Sequence, residues 1–402
     1  HSGLMIYQGE SWPEEYRNSA FTVNLHGHRI NRDTIERHGA TFVAHHAPDF
    51  VKIADPWFRG LDLLQHPDGS VYIADWTDVG ECHENDGVHR TSGRIYRISS
   101  TTPNETRPVD KASNAELVSI LVGKNEPESR MARRRLQQIA SLDVAPLADA
   151  QSKLRSLAES SESVRVRLRA IWGLNSLGNV EESWLIARLA DPDENVRAWA
   201  VRLLSDPPQV SPTATAAFQH LVAKETSGLV LTYLASSLQK ISNPSDCLKL
   251  AAAIGQHQEF ADDRVLPLMV WYGLEPVVVS DPTAALKLAT ETRFPKLRQF
   301  VARRLSSAQS VRSRSLNELS SMLQKADSSA RKDLLLGISR GFEGVRKVAA
   351  PDNWESTAKA LSSDPNEDVQ RIAQELSVIF GDGHAIDQIK ALDGDFNFEV
   401  YM

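Results

Sequence analysis

Titratable side chains concentrate in one stretch, DWTDVGECHENDGVHRTSGRIYRI, which spans residues 75–98. Between two β-forming runs it places Asp78, Glu81, Cys82, His83, Glu84, Asp86, His89 and Arg90. Histidine suits proton transfer near neutral pH, carboxylates suit Ca²⁺, and arginine suits bidentate binding of carboxylates. Three interpretations stay open: a binding or catalytic site on the rim of a β-domain, a self-contained structural calcium or zinc site, and a solvated loop.

The segments around this stretch predict antiparallel β structure. Short runs rich in β-forming residues alternate with turn sequences, and the predicted strands cover residues 3–9, 20–27, 29–35, 41–46, 60–65, 70–76 and 93–98. The sequence Pro67-Asp68-Gly69 predicts a tight turn, because proline presets φ and glycine accepts a positive φ. Arg94 and Arg97 alternate with isoleucines and are predicted to face solvent.

The chain beyond residue 113 shows a different pattern, with pairs of amphipathic helices that recur about every 33 residues. Such a period is typical of an α-solenoid. The stretch LADPDENVRAWAVRLL, at residues 189–204, resembles HEAT repeats. Arg165 and Arg197 occupy the place of a charged ladder in such repeats, although we expect them to be solvated charges on a helix face. Cys247 is predicted to lie in the helical core.

The β-rich segment resembles a known family through GLMIYQGESWPEEYRNSAFTVNL, HPDGSVYIADW and GRIYRI. It is similar to the C-terminal blades of glucose/sorbosone dehydrogenase-like β-propellers, of the large secreted bacterial "membrane-bound dehydrogenase" type that continues into HEAT repeats. The resemblance implies about two propeller blades followed by a HEAT-like α-solenoid. The predicted domains are blades at 1–98, a linker at 99–112, about eight repeats at 113–392 and a tail at 393–402.

The resemblance also implies a function, namely part of a quinone-dependent sugar or polyol dehydrogenase. It implies pyrroloquinoline quinone and calcium as cofactors, a protein partner on the HEAT surface and a periplasmic or secreted location. Two blades cannot enclose a propeller channel, so this piece alone is expected to be inactive and to belong to a longer protein. The alternative is a non-catalytic scaffold that binds a glycan or a protein.

Candidate site residues follow from strand order, which places the turn at 26–29, the segment 56–60 and the loop 77–92 on one rim. His66 falls on the opposite rim. The candidate proton acceptors are His26, His83 and His89. Cofactor binding is predicted for Arg29, Arg59 and Arg90, and metal binding for Asp75, Asp78 and Glu81. The simpler interpretation is that Asp75 is a structural cap and that Trp76 is a packing ring.

Composition and short motifs narrow the classes of partner and cofactor that the chain could bind. The net charge is −7 with a pI near 6.0, which does not favour a nucleic-acid partner. The sequence holds no apolar run of the length that a membrane span requires, so no membrane span is predicted in this chain. It also holds no C-x-x-C-H motif, so attachment of a c-type haem is not predicted.

Overall fold

The structure is a computed structural model that describes residues 1–77, 91–100, 105–143, 145–178 and 180–381. The chain divides into two compact units. Unit 1 holds residues 1–38 and 42–184, and unit 2 holds residues 39–41 and those from 185 onward. Among the described helices, none is both long and apolar enough to cross a membrane.

Two small antiparallel sheets form the N-terminal part of the chain. Sheet A has the strand order β1-β2-β3-β4, with strands at Ser2–Ile6, Ala20–Asn24, Arg29–His38 and Thr41–Lys52. Sheet B has the order β5-β6-β7, with strands at Gly60–Gln65, Val71–Asp75 and Arg94–Ile98. All seven lie at the predicted positions, so the predicted strands are confirmed, although β4 runs six residues further than expected.

The two sheets share an apolar core. Its fully buried members include Tyr7, Phe21, Val23, Phe58 and Ile73. The Tyr7 ring stacks on Trp12 with the centroids 4.3 Å apart, and its hydroxyl donates to the carbonyl of Gly69 at 3.1 Å. Gly69 has a φ of +83°, which confirms the turn predicted at Pro67-Asp68-Gly69. This turn is therefore fastened to the core by a buried phenol.

Unit 1 continues into helices. They are α1 (Asn114–Leu121), α2 (Glu126–Leu142), α3 (Ala148–Ser160) and α4 (Val164–Ser176); α5 follows at Glu182–Arg188. Helix α2 begins after Asn125, whose side chain caps the helix and also donates to the carbonyl of Pro67 at 2.6 Å. Arg107, in the predicted linker, binds the buried carboxylate of Glu128 through three donors.

Unit 2 is helical, and its helices contact each other in two series. One series is α6 (Glu194–Leu204), α8 (Gly228–Ser237), α10 (Leu266–Val278), α12 (Pro295–Ser307), α14 (Ser328–Gly341) and α16 (Glu367–Ile379). The other is α7 (Pro212–Val222), α9 (Pro244–Ile254), α11 (Pro282–Glu291), α13 (Arg312–Lys325) and α15 (Trp354–Leu361). In each series, every member contacts the next. Cys247 is fully buried between these helices, as predicted.

The prediction that Arg197 is a solvated helix-face charge is wrong. Its guanidinium donates to the carbonyls of Asp191 and Pro192 and binds both oxygens of Glu225 at 2.7 and 2.8 Å. The Glu225 side chain is only 1% exposed. Arg197 thus ties the end of one helix to the start of another. The equivalent position in α4 is Arg167, four residues after the cap, rather than Arg165.

Candidate functional site

Two of the three segments that were predicted to share a rim lie together in the structure. Nδ1 of His28 lies 3.1 Å from the carbonyl oxygen of Phe58, so the turn at 26–29 meets the segment 56–60. The register pairs Gly60 with Asp75 and Gln65 with Val71. The turn that holds His66 is therefore at the opposite end of sheet B from Asp75, as predicted.

A set of polar residues, here called the turn cluster, lies on this rim and consists of His28, Asp55, Arg59, Asp75, Thr77 and Arg94. Asp75 is its centre and is only 4% exposed. One carboxylate oxygen accepts from the backbone N–H groups of Arg59 at 2.7 Å and Thr77 at 3.0 Å. The other accepts from the Thr77 hydroxyl and the Arg94 guanidinium, both at 2.9 Å. Asp75 therefore holds the ends of three adjacent segments together.

Arg94 connects Asp75 to a second carboxylate. Its guanidinium lies 2.8 Å from Asp75 and 2.5 Å from Asp55, and it covers the ring of Tyr96. The Asp55 contact, followed by that of Asp75, raises the pKa of Arg94. The backbone N–H of Trp57 and then the Arg94 guanidinium lower the pKa of Asp55. The lowered pKa of Asp55 and the raised pKa of Arg94 keep this ion pair charged at neutral pH.

Arg59 is only 9% exposed, and its side chain donates hydrogen bonds to the backbone around it. It donates to the carbonyls of Pro56 and Phe58 at 2.9 Å and lies 3.4 Å from Nδ1 of His28. That nitrogen can accept from Arg59 or donate to Phe58, but not both at once.

Two residues of the turn cluster have a left-handed backbone. His28 has a φ of 47° and Thr77 a φ of 56°. Such a conformation is unusual for any non-glycine residue and strained for a β-branched one. Backbone strain of this kind gathers at functional sites. Here the strain at Thr77 is offset by its two hydrogen bonds to Asp75.

The remaining predicted residues separate into described and undescribed ones. Arg29 forms an ion pair with Asp49 of β4 at 3.4 Å. His26 lies exposed in the turn before β3. The other predicted site residues lie outside the described part of the chain: Asp78, Glu81, His83, His89 and Arg90.

The described residues do not fit a site for pyrroloquinoline quinone and calcium. Arg29 and Arg59 bind groups of the protein, and the Asp75 carboxylate accepts at both oxygens. Within the described ranges, no group of three or more histidine, cysteine, aspartate or glutamate side chains could hold a metal ion.

Sequence reasoning did not name four members of the turn cluster as site residues, namely His28, Asp55, Thr77 and Arg94. Arg94 was predicted to face solvent, but its register places it directly opposite Asp75. The available signal was this cross-strand pair, because opposite charges on adjacent antiparallel strands attract each other. Asp55 precedes a proline in a loop and carries no comparable signal.

Comparison with known protein families finds a match for part of the chain. Residues 1–102 match a family described as a domain of unknown function, DUF7133. The match covers both sheets and the whole turn cluster. No curated protein matches the chain.

Proposed function

We propose that this chain is a protein-binding scaffold and that one face of sheet B is a docking surface. The observation that carries the proposal is this outer sheet face, defined by Leu64, Tyr72, Ala74 and Ile95. The register places these four side chains next to one another, opposite the face that enters the core, and places Asp62 and Arg97 at the edges of the same face. Leu64 is 68% exposed and Ile95 is 77% exposed. A contiguous exposed apolar patch is typical of an interaction surface.

The kind of occupant follows from the way sheet B uses its other face. That face carries Leu63, Ile73 and Tyr96 and packs in the core shared with sheet A. The outer sheet face has the same alternation and would accept a second sheet in the same manner. We therefore propose an antiparallel sheet with an apolar face as the partner.

This packing supports the finer architecture that the resemblance implies. Each sheet is a meander, and the first strands of the two sheets are neighbours, since the Ser2 hydroxyl donates to the carbonyl of Gly60 at 2.8 Å. Adjacent first strands are what two consecutive propeller blades require. The two series of contacting helices in unit 2 likewise support HEAT-like repeats. We propose both assignments.

A quinone-dependent sugar or polyol dehydrogenase is the second proposal. It rests on the resemblance and on the strained backbone of His28 and Thr77, since strain gathers at active sites. The internal contacts of Arg29, Arg59 and Asp75 argue against it. Any cofactor contacts in that case would depend on residues of the loop 77–92 that lie outside the described chain.

Site-specific photocrosslinking tests the scaffold proposal. A benzophenone amino acid is placed at Ile95 of the full chain, in cells that produce the protein naturally, and a matched variant carries it at Leu142. Leu142 is 89% exposed but lies at the end of α2. We expect a discrete crosslinked product from position 95 with a β-sheet protein or domain, and none from position 142. Equal or absent products would contradict the proposal.

Dye-linked oxidation of a sugar panel tests the second proposal in the same chain. The assay is run with and without pyrroloquinoline quinone and calcium. The scaffold proposal predicts no turnover under either condition, whereas the dehydrogenase proposal predicts turnover that requires the quinone. Quinone-dependent turnover that is lost in His83→Ala would instead establish the dehydrogenase.

A further inference from the structure

Four helices of unit 2 carry an aromatic residue at the same position. The caps of α6, α8, α10 and α12 are Asp193, Ser227, Val265 and Phe294. The sixth residue after each cap is aromatic and partly exposed, which gives the set Trp199, Tyr233, Trp271 and Phe300. Tyr272 adds a fifth ring that is 54% exposed. These five residues are called the aromatic row.

The aromatic row crosses consecutive helices. Helix α6 contacts α8, α8 contacts α10, and α10 contacts α12. Residues at equal distances from the helix starts therefore occupy equivalent places on neighbouring helices. The rings of Trp271 and Phe300 are 5.2 Å apart, so the row is continuous between α10 and α12. The result is a strip of aromatic surface that runs across the helix axes.

Cationic side chains flank this strip. Arg202 lies one turn beyond Trp199, and its guanidinium is 5.4 Å from that ring. Near Phe300 the flank carries Lys296, Arg303 and Arg304, and Arg303 is 51% exposed. Glu275 supplies a carboxylate 3.9 Å from Arg304. Glu343 supplies a second carboxylate, 3.9 Å from Arg303. The four cations thus outnumber these two carboxylates, although the whole chain has a net charge of −7.

We infer that the aromatic row binds an extended acidic peptide with proline at every third residue. Packed helices lie about 8–10 Å apart, and a polyproline II peptide repeats every three residues, or about 9 Å. Successive prolines would therefore meet successive aromatic residues. Aromatic surfaces are a common receptor for this conformation. Acidic residues between the prolines complement Arg202, Lys296 and Arg303.

This inference concerns unit 2 and does not depend on the outer sheet face of unit 1. The probe is a fluorescein-labelled peptide of about 15 residues that repeats Pro-Glu-Ala, long enough for roughly five turns of polyproline II. Its binding to the full chain is followed by fluorescence anisotropy. Two control peptides repeat Pro-Lys-Ala and Gly-Glu-Ala, which reverse the charge and remove the conformational preference.

We expect saturable binding of the Pro-Glu-Ala peptide that weakens as salt is added, and much weaker binding of both controls. Tyr272→Ser and Arg303→Glu replace exposed side chains, and each should weaken binding about tenfold. Arg134→Glu, at an exposed position of α2, is the matched control and should bind like the parent chain. Thermal melts by circular dichroism verify that each variant is folded.

Three results would overturn the inference. They are the absence of saturable binding, binding of either control peptide as tight as that of Pro-Glu-Ala, and unchanged binding in both Tyr272→Ser and Arg303→Glu. The photocrosslink from Ile95 tests the outer sheet face of unit 1 separately. A failure of peptide binding can therefore be distinguished from a failure of the scaffold proposal.

Discussion

Replacing Asp75 tests whether the turn cluster serves the fold. The Asp75→Ala variant leaves the backbone N–H groups of Arg59 and Thr77 without an acceptor, in a place where both residues are buried. An unsatisfied buried donor costs about 1–3 kcal/mol. The loss for two such donors is therefore roughly 4 kcal/mol in the free energy of unfolding.

The Asp75→Asn variant separates this explanation from metal binding. The asparagine carbonyl oxygen can still accept from both N–H groups, and Arg94 keeps its contact with Asp55. What is lost is the charged acceptor for Arg94, which is worth about 2 kcal/mol. Asp75→Ala loses this acceptor as well, so the two variants differ by the two backbone donors, and we expect Asp75→Asn to be roughly 4 kcal/mol more stable than Asp75→Ala.

Urea unfolding followed by tryptophan fluorescence measures both values, with and without calcium. Asp149→Asn, at an exposed position of α3, is the control and should unfold with the parent chain. The reasoning is refuted if the two Asp75 variants lose equal stability and calcium stabilises the parent chain alone, because that pattern belongs to a metal ligand.

Three further predictions address other parts of the chain. Gly69→Ala should cost about 2 kcal/mol in urea unfolding, because φ is +83° and the new Cβ would lie 1.9 Å from the Ser11 hydroxyl. Gly344→Ala, with a φ of +78° and open space, should cost about half of that. Burial opposes ionisation of Glu225, but hydrogen bonds from Arg197 and Ser227 outweigh it and lower its pKa. Its contribution to stability is therefore present above about pH 4.3 and lost as the pH falls through the lowered pKa. Glu225→Gln should lose about 3 kcal/mol in the free energy of unfolding at pH 7. Its stability should also fall less steeply with acidification than that of the parent chain, and an equally steep fall would contradict this pairing. Burial raises the pKa of Cys247 to about 11, so iodoacetamide should label it in urea but not in the native chain, as peptide mass spectrometry would show.

The strands could be predicted because their signals are local. Alternating β-forming runs and the turn at Gly69 depend on residues close together in sequence, and the structure confirms both. Strand β4 was predicted too short because its last half carries Asp49, which looks like a loop residue. Asp49 is tolerated there because it accepts from Asn31 at 2.9 Å and pairs with Arg29 of the adjacent strand.

The turn cluster could be predicted only in part, because its charges are neutralised across long sequence distances. Asp55 and Arg94 are separated by 39 positions, and Asp75 and Arg94 by 19. The alternation of apolar and polar residues along one strand shows which face of the sheet a side chain lies on. It does not show which charged residue lies on the neighbouring segment. The same limit explains Arg197, whose carboxylate partner lies 28 residues further along the chain.

Calorimetric titration with pyrroloquinoline quinone in the presence of calcium tests the central claim most directly, namely that the described charged residues serve the fold and not a cofactor. The full chain and its Arg29→Ala and Arg59→Lys variants are titrated side by side. We predict no saturable heat for any of the three. Saturable binding by the parent chain that is weakened in both variants would contradict the claim and favour the dehydrogenase.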